Sequence, residues 1–196
     1  MFVRNENFND YIKLYPIITC IAAIHTVLFG IAALPYLPND WIFEKLIGAN
    51  IYIKQGELWR FVSPLFVHVN FSHFIFNTIA LLIFAPPLEK KLGKIVFSCF
   101  YLLCGITGNL FAFLLLPLTY VHTGSSGAIF GIFGFYLASA LFGKNPTSRS
   151  AQVILPVLII SLFMSFIQPG VNITAHLAGL FTGVAAGILL RGKLES

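Results

Sequence analysis

Three separated stretches carry side chains that could do acyl-transfer chemistry. One holds His68, Asn70, Ser72, His73 and Asn77. His73 and Asn77 are four residues apart, so a helix would put them on one face. The second is Thr123-Gly124-Ser125-Ser126-Gly127, and the third holds Asn172, Thr174 and His176. A serine beside a histidine is a nucleophile with its base, and a second histidine and a carboxamide can donate to an oxyanion. All seven acids (Glu6, Asp10, Asp40, Glu44, Glu57, Glu89, Glu195) lie outside the apolar runs, so the parts make a serine–histidine pair without a carboxylate. Ser125 and Ser126 both qualify as the nucleophile, but a helix turns by about 100° per residue, so only one can face His176. No H-E-x-x-H, phosphate-binding or dinucleotide-binding motif appears, and no metal or cofactor is expected.

The elements that must position these residues are apolar. Of the 196 residues, 58% are hydrophobic and only 10% charged, and 21 are phenylalanine. Ordinary soluble domains carry about 25% charged residues. The composition excludes a soluble enzyme, a disordered chain and a nucleic-acid binder. It describes an all-α membrane protein embedded in the lipid bilayer. Six spans are expected at about 15–37, 64–86, 94–117, 126–143, 152–168 and 172–190. At about 1.5 Å per residue the fourth and fifth are short for a full crossing. Residues 1–14 read as a cytoplasmic tail, 15–191 as one six-span domain and 192–196 as a second tail. Gln168-Pro169-Gly170-Val171 reads as a tight turn.

With six spans, nine of the twelve basic residues fall on one side: Arg4, Lys13, Lys90, Lys91, Lys94, Lys144, Arg149, Arg191 and Lys193. The positive-inside rule then makes both termini cytoplasmic. Lys45, Lys54 and Arg60 share one long outer loop, from about 38 to 63. That loop also holds Trp41, Ile42, Phe43, Ile51, Tyr52 and Ile53, so short amphipathic helices at the membrane interface are expected there. Spans two, four and six all run inward. His73 lies about nine residues into the second, Ser126 opens the fourth, and His176 lies about five residues into the sixth. All three sit at similar depth, in the outer half of the bilayer. Gly179, Gly183 and Gly187 form one stripe, and Gly127, Gly131 and Gly134 another, as close helix packing in lipid requires. Cys20, Cys99 and Cys104 read as buried free thiols. His25 and His122 read as hydrogen-bonded or interfacial.

These residues resemble the rhomboid family of intramembrane serine proteases, in its minimal six-span form. Gly124-Ser125-Ser126-Gly127 is similar to the family's G-x-S-G. Ala175-His176-Leu177-Ala178-Gly179 with Gly183 is similar to A-H-x-x-G-x-x-x-G. His68, His73 and Asn77 match H-(x4)-H-(x3)-N, and Trp59-Arg60 matches the W-R motif of the first loop. The resemblance implies a six-span bundle with Ser126 as nucleophile and His176 as general base. It implies His73 and Asn77 as oxyanion donors, with Trp59 and Arg60 structural. It also implies single-span membrane proteins as substrates and the cell membrane as location. Two positions depart from the usual pattern: Ser125 where alanine is common, and Phe130 where tyrosine is common. Span five, with Pro156, Phe163 and Phe166, reads either as a side gate or as lipid-facing surface. The other reading of the chain is a catalytically inactive relative that binds membrane clients. A transporter would call for internal repeats or intramembrane charges, and neither is present.

Overall fold

The computed structural model describes residues 2, 5–33, 39–142 and 149–190. It is almost entirely helical. Helix α1 (Phe8–Leu14) is capped by Asn7, whose side chain accepts from the Asp10 N–H. Helix α2 (Pro16–Ala33) begins with a proline, and its next two N–H groups donate to one carboxylate. Ile17 N lies 2.9 Å from Glu89 Oε1, and Ile18 N lies 3.0 Å from Oε2. The buried anion thus satisfies two open donors at the positive end of a helix.

The first loop folds into short pieces: α3 (Asn39–Leu46), strand β1 (Gly48–Ala49), α4 (Asn50–Lys54), and two 3-10 turns at Leu58–Phe61 and Ser63–Phe66. Then come α5 (Phe71–Phe84), α6 (Pro86–Leu92), α7 (Lys94–Leu115), strand β2 (Val121–His122), α8 (Ser126–Phe142), α9 (Arg149–Ile167) and α10 (Ile173–Leu189). Helices α2 and α7 are each long and apolar enough to cross a membrane. The pair α5 and α6, bent by 46°, makes a third candidate. Helices α8 and α10 and residues 152–167 of α9 are shorter and apolar.

The second span differs from the sequence expectation of 64–86. Its helix begins only at Phe71, because Asn70 caps it by accepting from His73 N at 2.8 Å. His68 and Asn70 therefore precede the helix, and His73 is its third residue. The helix then bends at Pro86, which lacks an N–H to continue the ladder, and goes on to Leu92. Gly93, at φ +79°, ends it. Residues 34–37 and 143 of the expected spans lie outside the described residues. So do Arg4, Lys144, Arg191 and Lys193 of the expected inner side, the side chain of Arg149, and the tail at 192–196.

Helix α8 is the centre of the bundle: twelve of its 17 residues are buried. An all-round buried helix has no polar stripe, and this one has none. Large apolar groups such as Phe76, Phe163, Phe166 and Phe181 are exposed on the outer helices, where a bilayer would cover them. Helices α8 and α10 approach until backbone meets backbone. A Cβ on Gly179 would collide with the Gly127 carbonyl oxygen, and one on Gly183 with that of Gly131. Of the three cysteines only Cys104 is buried; Cys20 and Cys99 lie exposed on α2 and α7. The expectation of three buried thiols fails for those two. An apolar run in lipid is apolar on both faces, so hydrophobicity alone does not mark the inward one.

Arg60 pins the first loop. Its side chain is buried, yet it donates from Nη1 to the carbonyls of Glu44 (2.7 Å) and Ile47 (2.6 Å). Nε and Nη2 both lie 2.6 Å from Glu57 Oε2. The guanidinium also sits 4.7 Å from the centre of the Tyr52 ring. Trp59 Nε1 donates to the Lys45 carbonyl at 3.1 Å. A lysine offers no planar fork and could not serve all these partners. Arg60→Leu is expected to cost about 3 kcal/mol, because it leaves two carbonyls without their donor and Glu57 with only Lys45, 3.9 Å away. Thermal unfolding in detergent checks this, and a melting temperature equal to wild type would show the pin to be idle.

Candidate active site

Ser126 is the first residue of α8, and the segment before it is held by three separate elements. Gly124 has φ +102° and donates from its N–H to the Pro64 carbonyl at 2.8 Å. That backbone conformation favours glycine, and a Cβ there would also strike the His73 ring. Upstream, β2 pairs antiparallel with β1, Gly48 opposite His122. Asn50 follows β1 and caps the end of α7, its Nδ2 reaching the carbonyls of Ala112 (3.2 Å), Leu116 (3.3 Å) and Pro117 (3.0 Å). The first loop therefore ties directly to the strand that leads into Ser126.

His176 is the fourth residue of α10, after the cap Asn172, whose side chain accepts from Ala175 N. The glycine contacts between α8 and α10 bring its ring to Ser126. His176 Nε2 lies 2.7 Å from Ser126 Oγ. Phe130 stacks on the imidazole, with centroids 4.2 Å apart and planes 13° from parallel. Four residues after Ser126, Phe130 stands one turn along the same face. The buried ring is thus held in one orientation by a flat apolar neighbour.

Ser125 points elsewhere. It is fully buried, and its Oγ donates to Asn77 Oδ1 at 3.3 Å. Asn77 Nδ2 in turn donates to the His73 carbonyl at 2.8 Å. An amide NH₂ has two hydrogens, so one remains for another acceptor. The His73 ring packs against Gly124, so α5 presents both Asn77 and His73 to the turn that precedes Ser126. His68 is buried behind them, edge-on to His25 (4.6 Å) and to His73 (5.2 Å). Among the described residues neither ring nitrogen of His68 has a hydrogen-bond partner. His25 is satisfied, with Nδ1 3.3 Å from Thr78 Oγ1 and Nε2 3.1 Å from the Leu65 carbonyl. The described residues contain no cluster of three metal-ligating side chains.

Two contacts were not readable from the motifs: Ser125 to Asn77, and Ser165 of α9 to His176 Nδ1 at 2.8 Å. A serine in an apolar helix gives no sequence sign of a tertiary partner.

His122 is also buried, and neither ring nitrogen has a partner among the described residues. Of the two expectations for it, hydrogen-bonded or interfacial, the first does not hold among the described residues. Burial pushes its pKa down from 6.5 to about 4. The unfolded chain then binds a proton more readily than the fold. Stability is full above about pH 6.5 and falls as pH drops toward about 4, by about 3 kcal/mol in all. Between those values in detergent, wild type is expected to lose more melting temperature than His122→Phe. Parallel curves would show that His122 carries no such linkage.

Apolar helices closed over a serine–histidine contact define an integral membrane protein with the parts for acyl transfer. Residues 55–193 match the family model described as the rhomboid domain. The chain is 39% identical over all 196 residues to the Bacillus subtilis protein named "Putative rhomboid protease YdcA", covering 98% of it. It is 35% identical over 142 residues to the rhomboid protease GluP of the same organism, 72% of this chain and 28% of that one. To the rhomboid-like protease 2 of Toxoplasma gondii it is 30% identical over 149 residues, 74% of this chain and 53% of that one. The chain belongs to the rhomboid family.

Proposed function

We propose that this chain is an intramembrane serine endopeptidase using a Ser126–His176 dyad. The observation that carries the reading is the 2.7 Å contact between Ser126 Oγ and His176 Nε2, at the head of a buried helix. The names of the relatives, "Putative rhomboid protease YdcA" and "Rhomboid protease GluP", support it. Nε2 takes the Oγ proton as the oxygen attacks a substrate carbonyl. The oxyanion is held by Asn77, His73 and the Ser126 N–H. His176 then gives its proton to the leaving amine, and water resolves the acyl-enzyme in the same way.

Six spans with both termini cytoplasmic fit the basic residues and the run of α2, α5–α6, α7, α8, α9 and α10. Ser126 then opens in the outer half of a cell membrane. Its substrates are single-span membrane proteins, presented where their helix is unwound, because an intact helix keeps its carbonyls bonded. The exposed Phe163 and Phe166 fit either a gate on α9 or plain lipid contact.

The test is purified protein in liposomes, with a fluorescent single-span substrate and a serine-directed covalent probe. Cleavage together with labelling is expected. Failure of both, over several substrates, would overturn the protease reading in favour of client binding.

A further inference from the structure

We infer that Ser165 is a positioning residue that sets the tautomer of His176; the catalytic part of this inference rests on the dyad proposed above. Ser165 lies on α9, the helix that carries no part of the four motifs, and its side chain is buried. Its hydroxyl has one proton and two lone pairs. The oxygen lies 2.7 Å from the Ser161 carbonyl of its own helix and 2.8 Å from His176 Nδ1. A carbonyl can only accept, so both contacts are hydrogen bonds at once only with the hydroxyl proton on the Ser161 side. What remains for His176 is a lone pair, and Nδ1 must then carry the hydrogen. The tautomer of a neutral imidazole is fixed by the bond its other nitrogen makes. With hydrogen on Nδ1, Nε2 is a bare acceptor, 2.7 Å from Ser126 Oγ.

The opposite tautomer would put hydrogen on Nε2, facing the serine. That ring could not take the Ser126 proton. The chain Ser126–His176–Ser165–Ser161 therefore runs in one direction only, and it does so without a carboxylate. The described residues offer no acid at this place. The serine does the orienting half of a triad's work but supplies no charge.

The experiment pairs kinetics with a direct view of the ring. Histidine labelled with nitrogen-15 reports by NMR which ring nitrogen of His176 is protonated, assigned by comparison with His176→Gln. Wild type, Ser165→Ala, Ser165→Thr and Ser126→Ala are compared in liposomes. Wild type is expected to show Nδ1–H, and Ser165→Ala a mixture of tautomers. Ser165→Ala is expected to lower kcat about tenfold with little change in KM, as for one lost hydrogen bond. Threonine keeps the hydroxyl and is expected to restore both the tautomer and kcat. An unchanged tautomer in Ser165→Ala overturns the inference, whatever the rate does. So does a shifted tautomer with kcat unchanged, or a loss that threonine does not restore. Should wild type cleave nothing, the dyad reading fails by itself, while the tautomer comparison still decides what Ser165 does to the ring.

Discussion

Ser126→Ala is expected to lower cleavage at least about 10⁴-fold and to abolish labelling by a serine-directed probe. Of the two adjacent serines only Ser126 has its hydroxyl on His176, 2.7 Å from Nε2, and without it nothing attacks. Ser125 cannot substitute. It is one residue away, on a different face of the turn, and its hydroxyl is bonded to Asn77. Ser125→Ala should therefore keep the label and most of the rate, losing about tenfold or less through a looser Asn77. His176→Ala should fall as far as Ser126→Ala. The double variant should fall no further, because the two act as one unit. The measurement is the rate of substrate cleavage and the mass of the probe adduct, mapped to its peptide. An adduct on Ser125, or full activity in Ser126→Ala, would sink the assignment.

Much of this arrangement was legible in the sequence. Helices α7, α8 and α10 end within two residues of the apolar runs that marked them, because lipid demands long unbroken stretches. The glycine stripes foretold the α8–α10 contact, since only a missing Cβ lets backbones come that close. The second span was harder. Val67 and Val69 look like helix, but the Asn70 cap and Pro64 settle the chain outside it. Which face of each helix turns inward was not legible either, as Cys20 and Cys99 show. In water a polar stripe marks the outside; in lipid the outside is as apolar as the core. The roles of Ser125 and Ser165 were hidden for a different reason. Each depends on one tertiary contact, and a single small polar residue in a span has no periodicity to read.

Asn77→Ala and His73→Ala are each expected to lower kcat about 100- to 1000-fold while leaving KM nearly unchanged. The argument is one of free donors. Asn77 is buried, with its oxygen accepting from Ser125 and one amide hydrogen given to the His73 carbonyl. Among the described residues its second amide hydrogen is uncommitted, and the amide is fixed at both ends. A donor fixed in advance needs no reorganisation when negative charge develops on the substrate oxygen. The His73 ring stands against Gly124, two residues before Ser126, so a ring N–H can reach the same place. Asn77→Asp keeps the size and the acceptor for Ser125 but loses both N–H groups, the free one and the one on the His73 carbonyl. If Asn77 only braces the turn, the rate lost in the aspartate should track a lowered melting temperature. If it donates to the oxyanion, the aspartate should be at least as slow as the alanine. Single-turnover cleavage in liposomes reads the difference, and an aspartate variant with wild-type kcat would remove Asn77 from the oxyanion site.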